Sequence, residues 1–216
     1  MDRRGRGASG DADAAYAIAR EYEDVAAVAE AIASLSGAPA ADVAGHSYGG
    51  RVALGASLET EAIRRIVVYE GAPVPAGESY GEPGLVEEVR AALEQGDNEA
   101  ALSTFLQGIV GLSDAALDSY RKEPVWPARV AAAPTILREI EAEASPAASI
   151  DALGRATEPV LLILGSVSRS PFRIGTDALA ERLADARVEV IKGAAHAAHH
   201  THVDAFVRIV ETFLER

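Results

Sequence analysis

Gly45-His46-Ser47-Tyr48-Gly49 fits the pattern G-x-S-x-G. It lies between a run that reads as a short strand, residues 41–46, and a run that reads as a helix. In that context a serine sits in a sharp turn at a strand end, with glycines keeping other side chains away from it. Its hydroxyl becomes a nucleophile if a base reaches it. The backbone N–H of Tyr48, at the start of the helix, would point toward an oxyanion that develops when Ser47 attacks a carbonyl. A plain glycine-rich strand–helix turn could carry the same residues. The strand before and the helix after favour the nucleophile.

The base must be a histidine, and there are five: His46, His196, His199, His200 and His202. His46 directly precedes Ser47 and is expected to point into the scaffold. His196 lies in the loop after the last strand, which opens on the same C-terminal sheet edge as Ser47, so His196 is the expected base. A carboxylate should orient it, and in chain order should fall between Ser and His. The loop after the third strand, Gly165-Ser166-Val167-Ser168-Arg169-Ser170-Pro171, contains no acid. Glu70, at the end of the second strand, is the preferred candidate. Asp177 is its competitor, at an expected helix start where N-terminal capping would explain it as well. His196, His199, His200 and His202 also spell H-x-x-H-H-x-H, which could be a metal site. Only Asp204 is near as a further ligand, so a solvated loop whose first histidine is catalytic is preferred.

The elements that must position these residues alternate. Residues 1–13 are polar and glycine-rich and read as a loop. From residue 14 to 35, Ile18, Tyr22, Val25, Ala29 and Ile32 fall on one helical face, with Arg20, Glu21, Asp24 and Glu30 opposite. The helix after Ser47 is small and apolar to about residue 59, so it should be buried. Ile66-Val67-Val68-Tyr69 is of buried-strand type. Residues 74–158 are helical in pattern, punctuated by Pro124, Pro127, Pro134 and Pro146, and no strand interrupts them. Leu102, Phe105, Leu106, Ile109 and Trp126 there could line an apolar pocket, or could equally pack within that segment. A buried strand at 159–165, a helix at 176–184 and a strand at 188–191 follow. A last helix is capped by Thr201 with Asp204 three residues on, and its apolar face is Val203, Phe206, Val207, Val210, Phe213 and Leu214. This order predicts an α/β fold, a parallel sheet with helices on both faces, plus a helical insertion.

Composition narrows the functions. The 216 residues carry 20 Lys+Arg against 33 Asp+Glu, a net charge of -13. Such a chain is a poor ligand for nucleic acid backbones or anionic membranes. There is no cysteine, which excludes disulfides, thiolate metal sites and cysteine nucleophiles. No apolar run approaches the ~18 residues of a membrane span, and the first residues lack the apolar segment of a signal peptide. The expectation is a cytoplasmic protein.

With these residues in place, the chain resembles the α/β-hydrolase superfamily, of the kind with a helical cap. Asp2-Arg3-Arg4-Gly5-Arg6-Gly7-Ala8-Ser9 resembles its D-x-R-G-x-G-x-S loop after the fourth strand. Gly45-His46-Ser47-Tyr48-Gly49-Gly50 resembles its nucleophile elbow. Val68-Tyr69-Glu70-Gly71-Ala72-Pro73 resembles the end of its sixth strand, and Gly193-Ala194-Ala195-His196 its catalytic histidine loop. The resemblance implies a hydrolase core over residues 1–73 and 159–216 and a cap over 74–158. Haloalkane dehalogenases of the superfamily carry their acid as a Glu after the sixth strand, which supports Glu70 by analogy. They use an Asp nucleophile; Ser47 here implies ester-type acyl chemistry instead.

The family also has strands before the D-x-R-G-x-G-x-S loop, one ending in an HG-type motif that supplies a second oxyanion N–H. This chain starts at Met1 directly on that loop, so the expected fold is an N-terminally truncated one, a fragment or a start assigned at an internal Met. Tyr48 is then the one clear oxyanion donor, and the strand leading to Ser47 is an exposed edge that favours pairing with a second copy of the chain. The function implied is a serine hydrolase acting on a small carboxylic ester or related acyl substrate, with catalytic Ser47, His196 and Glu70 and no metal or organic cofactor. The alternative is a catalytically impaired hydrolase-like chain that binds a ligand or partner.

Overall fold

The computed structural model describes residues 1–11 and 15–215. In chain order its elements are α1 (Ile18–Ser36), β1 (Ala41–His46), α2 (Tyr48–Ser57), β2 (Ile63–Tyr69), α3 (Leu85–Glu94), α4 (Asn98–Phe105), a π-helical turn (Leu106–Val110), α5 (Asp114–Tyr120), α6 (Trp126–Ala131), α7 (Thr135–Ala142), a 3-10 turn (Pro146–Ala148), α8 (Ile150–Leu153), β3 (Val160–Gly165), α9 (Ser170–Ala180), β4 (Ala186–Ile191), α10 (Ala198–Thr201) and α11 (Val203–Leu214). The chain forms two compact units, one of Met1–Ala17 with Ser79–Ala144, the other of Ile18–Glu78 with Ser145–Arg216. Among the described residues no helix is long and apolar enough to cross a membrane.

The unit containing Ile18–Glu78 and Ser145–Arg216 is built on a four-stranded parallel sheet in the order β1-β2-β3-β4. Every residue of β3 is buried, as a central parallel strand with both faces covered requires. On one face Val67, Tyr69, Leu161, Ile163 and Ile191 pack with Ala194, Ala198 and Phe213, and Phe206, Ile209 and Val210 of α11 close over them. The other face carries Ile66, Val68, Leu162 and Leu164, all buried. There α2 comes so close that a methyl on Gly50 would stand 2.8 Å from Val68 Cγ1. Helices therefore cover both faces, as the alternation of elements implies.

Several boundaries depart from the sequence reading. The expected first residue of the first helix, Ala14, lies outside the described residues, and α1 begins at Ile18. Its buried face is Ile18, Glu21, Tyr22, Ala26, Ala29 and Ala33, while Ile32 is 51% exposed. The cause is close packing on α2: Gly55 is an α2 glycine whose missing side chain makes room for the Tyr22 ring, so small residues are favoured along the seam. The third strand's following helix, expected at 176–184, starts at Ser170 because Pro171 fits its first turn. Thr201 is the last residue of α10 rather than a cap, and α11 begins after His202 with no side-chain cap. Val203 and Val207 of α11 are half exposed, so its buried stripe runs instead through Phe206, Ile209, Val210 and Phe213.

The other unit is helical. Val89, Ala101, Leu102, Leu117, Trp126, Ala133 and Ile136 form its core, with Phe105, Leu106 and Tyr120 packed against them. Leu102, Phe105, Leu106 and Trp126 thus serve packing within this unit. Residues 1–17 belong here, whereas the sequence reading grouped them with the sheet. The reason is electrostatic: Arg6 grips the buried Glu139 carboxylate through both oxygens at 2.9 Å, and Arg3 adds an ion pair at 3.0 Å. Asp2 closes the loop by accepting the Ala8 N–H at 2.9 Å.

Candidate active site

Because the strands are parallel, their C-terminal ends share one edge, and the first residues beyond them become neighbours. Ser47 follows β1 and Glu70 follows β2, with His46 in register with Tyr69. Ser47 donates its N–H to the Tyr69 carbonyl at 2.8 Å. Ser47 has φ 54° and Glu70 φ 47°; they are the only non-glycine residues with positive φ among the described residues. Side chains rarely adopt this conformation, and it persists where surrounding packing enforces it. The enforcement is visible. A methyl on Gly71 would lie 2.5 Å from the Ser47 carbonyl oxygen and 2.7 Å from Gly50 Cα. One on Gly45 would run into the Gly49 carbonyl, whereas Gly49 itself faces open space. Tyr48 is the first residue of α2, so its N–H belongs to the helix turn whose amides point outward along the axis.

Glu70 is 2% exposed and its carboxylate is fully engaged. Oε1 accepts the Gly165 N–H at 2.7 Å and the Ser168 hydroxyl. Oε2 lies 2.7 Å from His196 Nδ1. A carboxylate with donors on Oε1 accepts on Oε2 as well, so Nδ1 carries a proton, and in the neutral ring Nε2 then holds the lone pair. That is the tautomer a general base needs. The His196 ring is buried, with Phe172 stacked on it at 4.4 Å between centroids and His46 at 4.5 Å.

The residues just before Ser47 and Glu70 hold the histidine loop. His46 Nε2 donates to the His196 carbonyl at 2.7 Å. Tyr69 donates its hydroxyl to the Ala195 carbonyl and accepts the Ala198 N–H at 2.9 Å. Burial raises the Tyr69 phenol pKa well above its usual value; the Ala198 N–H lowers it in part and the Glu70 charge raises it further. His46 was expected to point into the scaffold. The residue as a whole is exposed, yet its ring lies against Tyr69, His196 and His199.

The structure therefore brings Glu70 and His196 together and sets Ser47 on the adjacent strand end. No hydrogen bond joins Ser47 Oγ to His196 among the described residues. Asp177 is exposed in the middle of α9, away from that helix's N-terminus, so neither capping nor contact with His196 involves it. The His199 and His200 rings lie tilted against each other at 4.1 Å between centroids, and His202 Nδ1 meets the Thr201 hydroxyl at 2.9 Å. Among the described residues no group of three or more His, Asp or Glu is placed to hold a metal ion. Sequence reasoning missed Ser168, Tyr69 and Phe172. The loop with Ser168 has no acid, and one serine among several in a loop carries no signal of its own. Tyr69 carried a usable signal, a polar-tipped residue directly after the aliphatic run Ile66-Val67-Val68.

A family model described as the alpha/beta hydrolase family matches residues 1–209. No match was found among curated proteins. Among solved structures, the chain is similar to an alpha/beta hydrolase from Sphaerobacter thermophilus DSM 20745, with TM-score 0.74 and 26% identity over 95% of this chain and 80% of that one. It is similar to a hydrolase from Pseudomonas aeruginosa PA01, with TM-score 0.75 and 24% identity over 100% of this chain and 78% of that one. An esterase from Exiguobacterium antarcticum gives TM-score 0.72 and 20% identity, covering 100% of this chain and 80% of the other.

Proposed function

The chain belongs to the alpha/beta hydrolase family, and from that premise we propose that it is a serine hydrolase cleaving a small carboxylic ester or related acyl substrate. The observation that carries the reading is the buried Glu70–His196 hydrogen bond, 2.7 Å long, at the strand end next to a serine held at positive φ. In this reading Ser47 Oγ attacks the carbonyl carbon while its proton passes to His196 Nε2. The C–O bond to the alcohol then breaks as His196 returns that proton to the leaving oxygen. Water, deprotonated in turn by His196, attacks the acyl-serine and releases the acid, regenerating Ser47. Glu70 fixes the His196 tautomer and balances the charge that forms on the ring. The Tyr48 N–H donates to the oxyanion, a contact of the kind whose loss costs about 10²–10³ in rate. The structurally similar esterase is consistent with this chemistry, and the net charge of -13 agrees with a neutral small substrate rather than a nucleic acid.

A second reading, a hydrolase-like binding protein, draws on the missing hydrogen bond between Ser47 Oγ and His196. Exposure to a fluorophosphonate followed by intact mass separates the two. The hydrolase reading expects one adduct on the wild type and none on Ser47→Ala. A folded, soluble wild type that takes no adduct would overturn it in favour of the binding protein.

A further inference from the structure

We infer that Ser168 is a positioning residue for His196, acting through Glu70; the inference rests on the hydrolase reading of this site. Glu70 Oε1 has two donors, the Gly165 N–H at 2.7 Å and the Ser168 hydroxyl, and both come from the one turn that follows β3. The same turn holds the histidine loop. The Val167 N–H donates to the Ala194 carbonyl at 3.0 Å, and Ser166 Oγ accepts the Gly193 N–H at 2.8 Å. The turn closes on itself through the Ser168 N–H and the Gly165 carbonyl at 3.2 Å. One short segment therefore sets both ends of the Glu70–His196 bond.

Within that segment Ser168 contributes something the backbone cannot. A carboxylate's terminal torsion is broad and two-fold, so one donor on Oε1 leaves the plane of the group poorly fixed. A second donor on the same oxygen helps to fix it and to aim Oε2 at Nδ1. At 2% exposure Glu70 has no ready solvent to replace a lost donor. Removing the Ser168 hydroxyl leaves Gly165 as the lone donor on Oε1 and lets the carboxylate turn away from His196. A hydroxyl here also suits the site better than an acid would, because a second carboxylate would repel Glu70.

The test compares wild type, Ser168→Ala and Ser168→Thr by rate of fluorophosphonate labelling at Ser47 and by the proton NMR signal of the His196 Nδ1–H, with circular dichroism checking the fold. The loss expected for Ser168→Ala is about tenfold in the labelling rate at saturating probe, with little change in the concentration that half-saturates it, as befits one hydrogen bond to a charged group. Ser168→Thr, which keeps the hydroxyl, is expected to restore most of the rate. The Nδ1–H signal should move in the Ala variant and return in the Thr variant. Labelling of Ser168→Ala at the wild-type rate would overturn the inference. So would a slow, well-folded Ala variant that Thr does not rescue. If the wild type itself takes no label, the hydrolase reading fails. The NMR signal then decides Ser168 alone: unmoved in the Ala variant, it overturns the positioning role; moved, it sustains it.

Discussion

Replacing Glu70 by Gln tests the centre of the proposed chemistry, because it changes one atom's hydrogen-bonding sense and almost nothing in size. In the native arrangement Oε1 takes the Gly165 N–H and the Ser168 hydroxyl, so in the variant the amide oxygen is drawn to that side. The amide NH₂ then faces His196 Nδ1, at a heavy-atom distance that is 2.7 Å in the native pair. Two donors cannot share that gap, so His196 must shift its proton to Nε2 and present Nδ1 as the acceptor. A protonated Nε2 cannot take the Ser47 proton. Loss of the base tautomer together with the charge that stabilises the imidazolium costs about 10⁴ in rate in comparable triads, or about 5.5 kcal/mol. Stability should change far less, since no cavity opens and each buried partner keeps a bond. The assay is the second-order rate of fluorophosphonate labelling at Ser47, with thermal unfolding run alongside and Asp177→Asn as the control expected to label normally. A Glu70→Gln protein that labels within about tenfold of the wild type would refute the reasoning, because the cost of a lost tautomer is far larger than that.

Other outcomes follow from the packing and the phenols. Gly71→Ala should destabilise by about 1–3 kcal/mol, because its methyl meets the Ser47 carbonyl and Gly50 Cα rather than a flexible side chain; melting should fall by roughly 2–12 °C in a chain of this length. Tyr69 and Tyr22 are buried phenols with raised pKa values, so the folded chain keeps two protons that the unfolded chain releases above about pH 10. Their contribution is complete below that pH and is lost as pH rises above it, by about a factor of ten in the unfolding constant per pH unit for each phenol. Urea unfolding from pH 9 to 11 should show the decline, and Tyr22→Phe should make it shallower. Because β1 ends the sheet and Ala44 on it is exposed, self-association through that edge is expected to grow with salt, which screens the repulsion between chains of net charge -13. Sedimentation at low and high salt reads it, and Ala44→Lys should reduce it.

What could be read from the residues depended on whether the cause was local. The β3 run was legible because a strand buried on both faces must be apolar throughout, and the turn at Ser47 because a strand end, a serine and tight glycines sit together in sequence. The burial of Glu21 in α1 could not be read, since its charge placed it on the polar side of the helical period while close packing of α1 on α2 placed it inside. The start of α9 differs from its expected position because the serines around Pro171 read as loop, whereas the proline fits the first turn of a helix. For the site, chain order narrowed the candidate acids but could not choose between Glu70 and Asp177. That choice depends on which strand ends lie side by side and on where α9 begins. The partners of Glu70 were hidden for a further reason: a backbone N–H from Gly165 has no sequence signature at all, and Ser168 has one only if hydroxyls are sought where an acid is missing.

The connection between β2 and β3 has a kinetic consequence. Tyr69 pairs with Ile163, while β1–β2 and β3–β4 are each joined by a short crossover. Closing the middle seam means bringing together segments separated by all the helices from α3 to α8, which costs more chain entropy than either local pairing and slows folding. The two halves of the sheet are therefore expected to form first and the seam last. Glu70 lies on one half and His196 on the other, so their bond can appear only once the seam has zipped. During refolding, helical circular dichroism should recover before Ser47 becomes reactive to a fluorophosphonate, and simultaneous recovery of the two signals would contradict this order. On the hydrolase reading proposed above, such a chain would carry no nucleophile activated by His196 while it is half-formed and its apolar surfaces are open.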